Sequence, residues 1–269
     1  MTPFWLSLLA KMASSAVIVV TASLVVERAG PAIGALVATL PISAGPAYAF
    51  LALEHDPAFL SRATLASLAV NAGTAPFILV YAALAQRRGV LVSLGTALAV
   101  WIGIATLLSG LVLDVTVAAA LNAAAYAGTY VLSRPYRSAP RPARSAARWW
   151  DLPARAATVM AVVGAVLLAG RWLGPRAAGV AALMPVVMTS LVLVLHPRAG
   201  GPATAAVLTN SVPGMIGFTS GLVTLHLAVV PLGPAAALLL GLAICLAWNA
   251  VLLGLALRSG RLAQGSGRP

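Results

Sequence analysis

The sequence predicts an all-α protein: a polytopic bundle of about nine transmembrane helices, in which two inverted four-helix repeats flank one linking helix. Three observations predict this fold. Hydrophobic residues make up 61% of the chain and charged residues 8%, which is about a third of the charge of a typical soluble domain. Apolar runs of about 20 residues, enough to cross a bilayer, follow one another at short intervals. A segment near the start recurs about 144 positions later.

Nine apolar runs are long enough to span, and they are continuously apolar, so they predict helices rather than the alternating strands of a membrane barrel. They cover approximately 5–26, 31–53, 62–85, 89–109, 111–133, 154–172, 175–196, 203–227 and 232–257. The first run has no basic segment before it and no small-x-small cleavage site, so we expect a mature helix rather than a signal peptide.

The repeat becomes visible when Trp5 to Pro41 is aligned with Trp149 to Pro185. Ten of the 37 aligned positions are identical, where composition alone would give roughly four. Five predicted helices precede the second copy, so it enters the membrane from the opposite side. The chain then divides into a first repeat (1–110), a linking helix with a basic cytosolic loop (111–153), a second repeat (154–257) and a basic cytosolic tail (258–269). Inverted repeats are typical of secondary transporters.

Basic residues set the orientation. The net charge is +12, but the arginines gather in loops beside apolar runs, where they meet lipid headgroups rather than nucleic acid. With nine spans, 13 of the 17 basic residues fall on one side. The positive-inside rule therefore places the C-terminus in the cytosol and the N-terminus outside.

Two prolines interrupt predicted spans near their middle. Pro41 lies in the second span and Pro185 in the seventh, and each removes a backbone hydrogen bond. Ser43 follows the first, and Thr189 and Ser190 follow the second. The freed carbonyl groups can bind a cation or a substrate donor. A plain proline kink is the alternative.

An asparagine precedes a second helix breaker in each copy. The motifs are Asn71-Ala-Gly73-Thr74-Ala-Pro76 and Thr209-Asn210-Ser211-Val-Pro213-Gly214. A buried amide needs hydrogen-bond partners, so we expect Asn71 and Asn210 to face the interior and each other's broken helices. Interhelical bonds that involve no ligand, worth about 1 kcal/mol or less each, are the alternative.

Few charged residues fall inside the spans. Lys11 and Arg155 lie in the first helix of each copy, where they either attract an anionic group or extend to the interface. Asp114, near the start of the fifth span, is a candidate for proton coupling, with capping as the alternative. Asn122, Tyr126 and Tyr130 follow it on one helical stripe. If that stripe faces the repeats, it forms the polar wall of a central cavity.

Enzymatic and metal-binding motifs are not found. The sequence contains no His-Glu-x-x-His, Gly-x-Ser-x-Gly or Walker motif, so we expect no enzyme and no cofactor. Glu54-His55-Asp56, His196 and His226 fall at predicted span ends, and adjacent residues point in different directions on a helix, so no metal site is predicted. The single cysteine, Cys245, excludes a disulfide framework.

A short hydrophobic pattern resembles the GlpM-like family of small inner-membrane proteins. Gly34-Ala35-Leu36 leads through Leu40-Pro41 to Leu53-Glu54-His55, and Arg62-Ala-Thr64 opens the next helix; Ala178-Gly179 through Pro185, His196 and Ala203-Thr204 form a similar series. The resemblance implies a tandem duplication of a GlpM-like unit over 11–110 and 155–257. It implies a bacterial inner-membrane location and no catalytic residues.

The sequence therefore predicts a secondary transporter or flippase for a small or lipid-linked substrate, with an anionic substrate as one option. The alternative is a non-transporting membrane component, such as an assembly factor or complex subunit. A polar cavity between the copies would favour transport, and sealed asparagines would favour the structural role. The substrate and oligomeric state stay open. The candidate substrate-binding residues are Pro41, Ser43, Asn71, Thr74, Pro185, Thr189, Asn210 and Ser211.

Overall fold

The computed structural model describes residues 5–17, 44–138 and 151–258, and in these ranges the chain forms helices and turns without strands. Six helical segments in these ranges are long and apolar enough to cross a membrane, and two of them contain a short break. They are Pro57–Leu84, Val90–Ser109, Val115–Leu132, Pro175–Ala199, Gly214–Leu232 and Pro234–Ala256. The prediction of an all-helical membrane protein is confirmed at this level.

Twelve α-helices follow one another in the described ranges, with a 3-10 turn at Arg134–Tyr136 after the sixth. They are α1 Trp5–Val17, α2 Ala44–Glu54, α3 Pro57–Asn71, α4 Thr74–Leu84, α5 Val90–Ser109, α6 Val115–Leu132, α7 Asp151–Leu173, α8 Pro175–Ala182, α9 Val186–Ala199, α10 Gly201–Asn210, α11 Gly214–Leu232 and α12 Pro234–Arg258.

Local chemistry explains where these helices begin. Asp56 caps α3 by accepting a hydrogen bond from the Phe59 N–H (2.6 Å), and Pro57 occupies the first turn, where its missing N–H is not needed. α8, α10 and α12 each follow a glycine with a positive φ of 82–85°, namely Gly174, Gly200 and Gly233. Residues with a side chain rarely adopt a positive φ, so glycine makes these tight turns possible.

Three apolar stretches each contain two helices that are separated by a short break. α3 passes into α4 through Ala72 and Gly73, α8 ends three residues before Pro185, which caps α9, and residues 211–213 separate α10 from α11. The last interruption corrects the predicted eighth span of 203–227, because the long apolar helix here is Gly214–Leu232. The predicted third span of 62–85 begins earlier, at Pro57, because Asp56 and Pro57 start the helix there.

The interrupted pair α3–α4 forms the centre of the described structure. In its most apolar 18-residue window, 72% of the residues are buried, against 44% or less in each of the other five candidate spans. α3 packs against α6, α8 and α11, whereas α4 packs against α5, α6 and α10. Helices from both predicted copies therefore surround α3–α4.

Glycines allow two of these contacts to be unusually close. A methyl group on Gly179 of α8 would overlap the Ala63 carbonyl oxygen of α3, and one on Gly201 of α10 would overlap the Ala85 carbonyl oxygen after α4. Small residues that let helix backbones approach are a common basis of helix association in membranes. Backbone atoms cannot move aside as a flexible side chain can.

We expect Gly179→Ala to lower the stability of the protein by about 1–3 kcal/mol, because the added methyl group forces α8 away from α3. Gly103→Ala in α5 is the matched control, since nothing lies within 4 Å of a methyl group there. Thermal unfolding in detergent measures both effects. Equal unfolding temperatures for the two variants would contradict the close packing of α8 on α3.

Candidate functional site

The amide of Asn71 is the polar centre of the helix break between α3 and α4. Its side chain is fully buried. The Nδ2 group donates hydrogen bonds to Asn122 Oδ1 of α6 (2.8 Å) and to Thr219 Oγ1 of α11 (3.1 Å). The Oδ1 atom is also buried, and it accepts no hydrogen bond from the described residues. A side chain of the predicted first copy is thus bonded to the predicted linking helix and to the predicted second copy.

Two side chains of α6 bond to the carbonyl groups that the break leaves free. The Ala72 N–H donates to Ala69 and Val70 rather than to Leu68, four residues earlier. The Leu68 oxygen instead accepts from Asn122 Nδ2 (2.7 Å). In the same way, the Ala75 N–H donates to Ala72, and the Asn71 oxygen accepts from the Tyr126 hydroxyl (2.9 Å).

A cavity of about 710 Å³ lies beside this network, between α6 and α11. Its volume lies in the range of small-molecule sites, about 300–1,000 Å³. The predicted stripe Asn122, Tyr126 and Tyr130 does line it, but the wall is mostly apolar. The lining residues are Ala119, Asn122, Ala123, Tyr126, Ala127, Tyr130, Val212, Pro213, Ile216, Thr219, Ser220, Val223 and Thr224.

Sequence reasoning missed the contribution of α11. Thr219, Ser220 and Thr224 line the cavity, yet they do not stand beside a helix breaker, which was the signal used. Ser220 and Thr224, four residues apart, lie on one face of α11, and Thr219 stands next to Ser220. That pattern was a usable signal, but hydroxyl groups in membrane helices also bond to their own backbone, as Thr224 does to Ser220 (2.9 Å).

Asn71 bonds to α11 of the other predicted broken pair, as expected. Asn210 does not join this network, which corrects the expectation that it faces the interior and the broken helices of the predicted first copy. Its side chain is exposed, and its Nδ2 donates to the Arg137 oxygen (3.0 Å) and to the Ala206 oxygen (2.8 Å). The physical reason is that α6, the predicted linking helix, has no counterpart in the predicted second copy. Its side chains bond to the break after Asn71, and only the turn that follows α6 reaches Asn210.

The remaining substrate-binding candidates are dispersed. Thr74 is buried next to the break. Ser211 is buried and donates to the Leu208 oxygen (2.7 Å). Pro185 caps α9, and Thr189 is half-buried in its first turn. Pro41 and Ser43 lie outside the described residues.

The charged candidates have local roles. Lys11 forms an ion pair with Glu54, so its charge is already balanced by a carboxylate. Asp114 caps α6 by accepting hydrogen bonds from the N–H groups of Thr116 (2.8 Å) and Val117 (2.9 Å). Capping is the role that the sequence offers as the alternative to proton coupling. Arg155 lies in α7, and its side chain is outside the described part.

Histidines contribute contacts between helices. His226 Nδ1 lies 3.0 Å from Ser61 Oγ and joins α11 to α3, and His196 Nδ1 lies 2.8 Å from the Tyr81 hydroxyl and joins α9 to α4. His55 stacks on Phe59. Among the residues with a described position, no group of three His, Cys, Asp or Glu side chains is placed to hold a metal ion.

No protein-family model, no curated protein and no solved structure matches this chain. The resemblance to the GlpM-like family therefore stays a prediction. The site's own geometry has to support any functional proposal.

We expect Tyr126→Phe to lower stability by about 1–3 kcal/mol, because the Asn71 carbonyl group would be left without a partner in an apolar surrounding. Tyr130→Phe is the matched control: Tyr130 lies one turn further along α6 and is 44% exposed. Thermal unfolding of the two variants in detergent measures the difference. A Tyr126→Phe variant as stable as the control would show that the break does not depend on this hydroxyl group.

Proposed function

We propose that this protein is an inverted-repeat secondary transporter or flippase, in which the two copies rock against each other and expose a site alternately to the two sides. The single observation that carries the proposal is the Asn71 network. It joins a broken central span of the first copy to α11 of the second, directly beside a cavity. Broken helices near the middle of a membrane are typical substrate sites of such transporters.

The pattern of helix contacts supports the inverted repeat. In the predicted alignment, α3–α4 corresponds to α10–α11, α2 to α9, and α5 to α12. α3 packs on α11 and α4 on α10, so each broken pair contacts the other in the exchanged order. α5 packs on α9, and α12 packs on α2. Reciprocal contacts of this kind are what a twofold relation between two copies requires.

The hydrogen bonds of the network are suited to rearrangement. Bonds between side chains of membrane helices are worth about 1 kcal/mol or less each, so a rocking motion can exchange them at low cost. The buried Asn71 Oδ1 atom accepts no hydrogen bond from the described residues, so it can take a new donor when the helices rearrange. The mostly apolar wall of the cavity, whose lining contains no charged side chain, favours a lipid-linked substrate over a small polar solute.

One observation favours the alternative, a non-transporting membrane component. Asn71 is sealed, with no exposed surface of its own, as an amide that only joins helices would be. The cavity next to Asn122 and Thr219 weighs against this alternative, since a purely structural contact does not need an adjacent void. The two functions differ in whether the copies move.

Rocking predicts two separate distances between the copies. We propose spin labels at Leu91 of α5 and Leu239 of α12, which are 81% and 68% exposed, in a background carrying Cys245→Ala, which removes the single cysteine. Pulsed electron paramagnetic resonance in lipid nanodiscs should show two populations for this pair. Their ratio should change with the lipid composition.

The matched control pair lies within the first copy, at Leu53 of α2 and Leu91 of α5. Leu53 is 78% exposed, so the label is accommodated without repacking. This pair should show one distance under all conditions. One narrow distance for both pairs would overturn the transport proposal and favour the structural alternative.

A further inference from the structure

We infer that the cavity between α6 and α11 binds one acyl chain of an anionic glycerophospholipid, whose phosphate group is held by Arg137. This inference names the substrate class of the proposed transporter. As a statement about the substrate it rests on the proposed function, whereas the binding itself is tested independently of transport.

The length of the cavity matches one leaflet of a bilayer. Its α6 wall extends from Ala119 to Tyr130, and a rise of eleven residues along an α-helix covers about 16 Å. Half of the hydrocarbon thickness of a bilayer is about 15 Å. Because α6 ends at Leu132, the Tyr130 end of the cavity lies near the interface and the Ala119 end lies near the bilayer centre.

The surface of the cavity suits an acyl chain. Ala119, Ala123 and Ala127 recur at every fourth position of α6 and leave space along its length. The deeper polar groups are already bonded to the protein: the Tyr126 hydroxyl to the Asn71 oxygen, and Thr219 Oγ1 to Asn71 Nδ2. A polar solute would find few free partners there, whereas methylene groups need none.

Arg137 supplies a positive charge at the interfacial end. The 3-10 turn at Arg134–Tyr136 folds the chain back, so the Arg137 guanidinium stacks on the Tyr130 ring at 3.7 Å and donates to the Tyr130 carbonyl oxygen. Its Nε atom is buried and has no partner among the described residues, where Arg137 also forms no ion pair. A guanidinium group whose charge is not paired by a carboxylate attracts a phosphate group and can donate hydrogen bonds to it.

Binding is tested by native mass spectrometry of the full chain in detergent, titrated with phosphatidylglycerol or with phosphatidylcholine. We expect one tight phosphatidylglycerol site per chain, with weaker binding of phosphatidylcholine. Arg137→Gln should lower the affinity for phosphatidylglycerol about tenfold and abolish the preference. Arg134→Gln, on the exposed neighbouring arginine, should leave both unchanged.

A second pair of variants tests the acyl-chain part. Ala123→Phe fills the cavity and should abolish tight binding of both lipids, whereas Ala124→Phe, on an exposed neighbour that does not line the cavity, should not. Both alanines are exposed, so neither change disturbs the core. Wild-type phosphatidylglycerol affinity in Arg137→Gln or in Ala123→Phe would overturn the inference, as would equal affinities of the wild type for the two lipids.

The two proposals fail separately. If lipid binding is unaffected by these variants while two inter-copy distances are observed, the cavity is not the lipid site and the transport proposal stands. If the lipid binds as expected but the copies show one distance, Arg137 and the cavity form a structural lipid site.

Discussion

The break in α3–α4 can exist inside a membrane only if its free carbonyl groups are bonded. No water is available in the hydrocarbon layer, and each unpaired backbone group there costs several kcal/mol. α6 supplies the partners: Asn122 donates to the Leu68 oxygen and Tyr126 to the Asn71 oxygen. The interrupted span lies at the centre of the described structure, so the helices packed on it depend on this pairing.

The need to pair these carbonyl groups also explains why the surroundings of Asn71 differ from those of Asn210. α6 stands outside the predicted repeat, and it contacts α3, α4 and α11. Its side chains hold the break after Asn71, while Asn210 bonds to the turn after α6. The alanines of α6 do not fill the space toward α11, so a cavity forms on the side of the linking helix rather than on an axis between the two asparagines.

Much of the fold follows from local sequence signals, whereas the site depends on contacts between distant segments. Long apolar runs with Asp114, Pro175 and Pro234 at their starts predict helices, since caps and prolines act within one turn. The polar stripe of α6 was visible as a four-residue spacing. Its partner, however, is decided by packing, which no local pattern contains: Thr219 of α11 joins the network, whereas Asn210 bonds to the turn after α6.

A double-mutant cycle between Asn71 and Asn122 tests most directly whether α6 holds the break. The free energy of unfolding would be measured for Asn71→Ala, Asn122→Ala and the double variant, each in the same detergent. If the two amides are bonded as described, the double variant is less destabilised than the sum of the single changes by about 0.5–1.5 kcal/mol. Additive effects, within about 0.3 kcal/mol, would contradict the account.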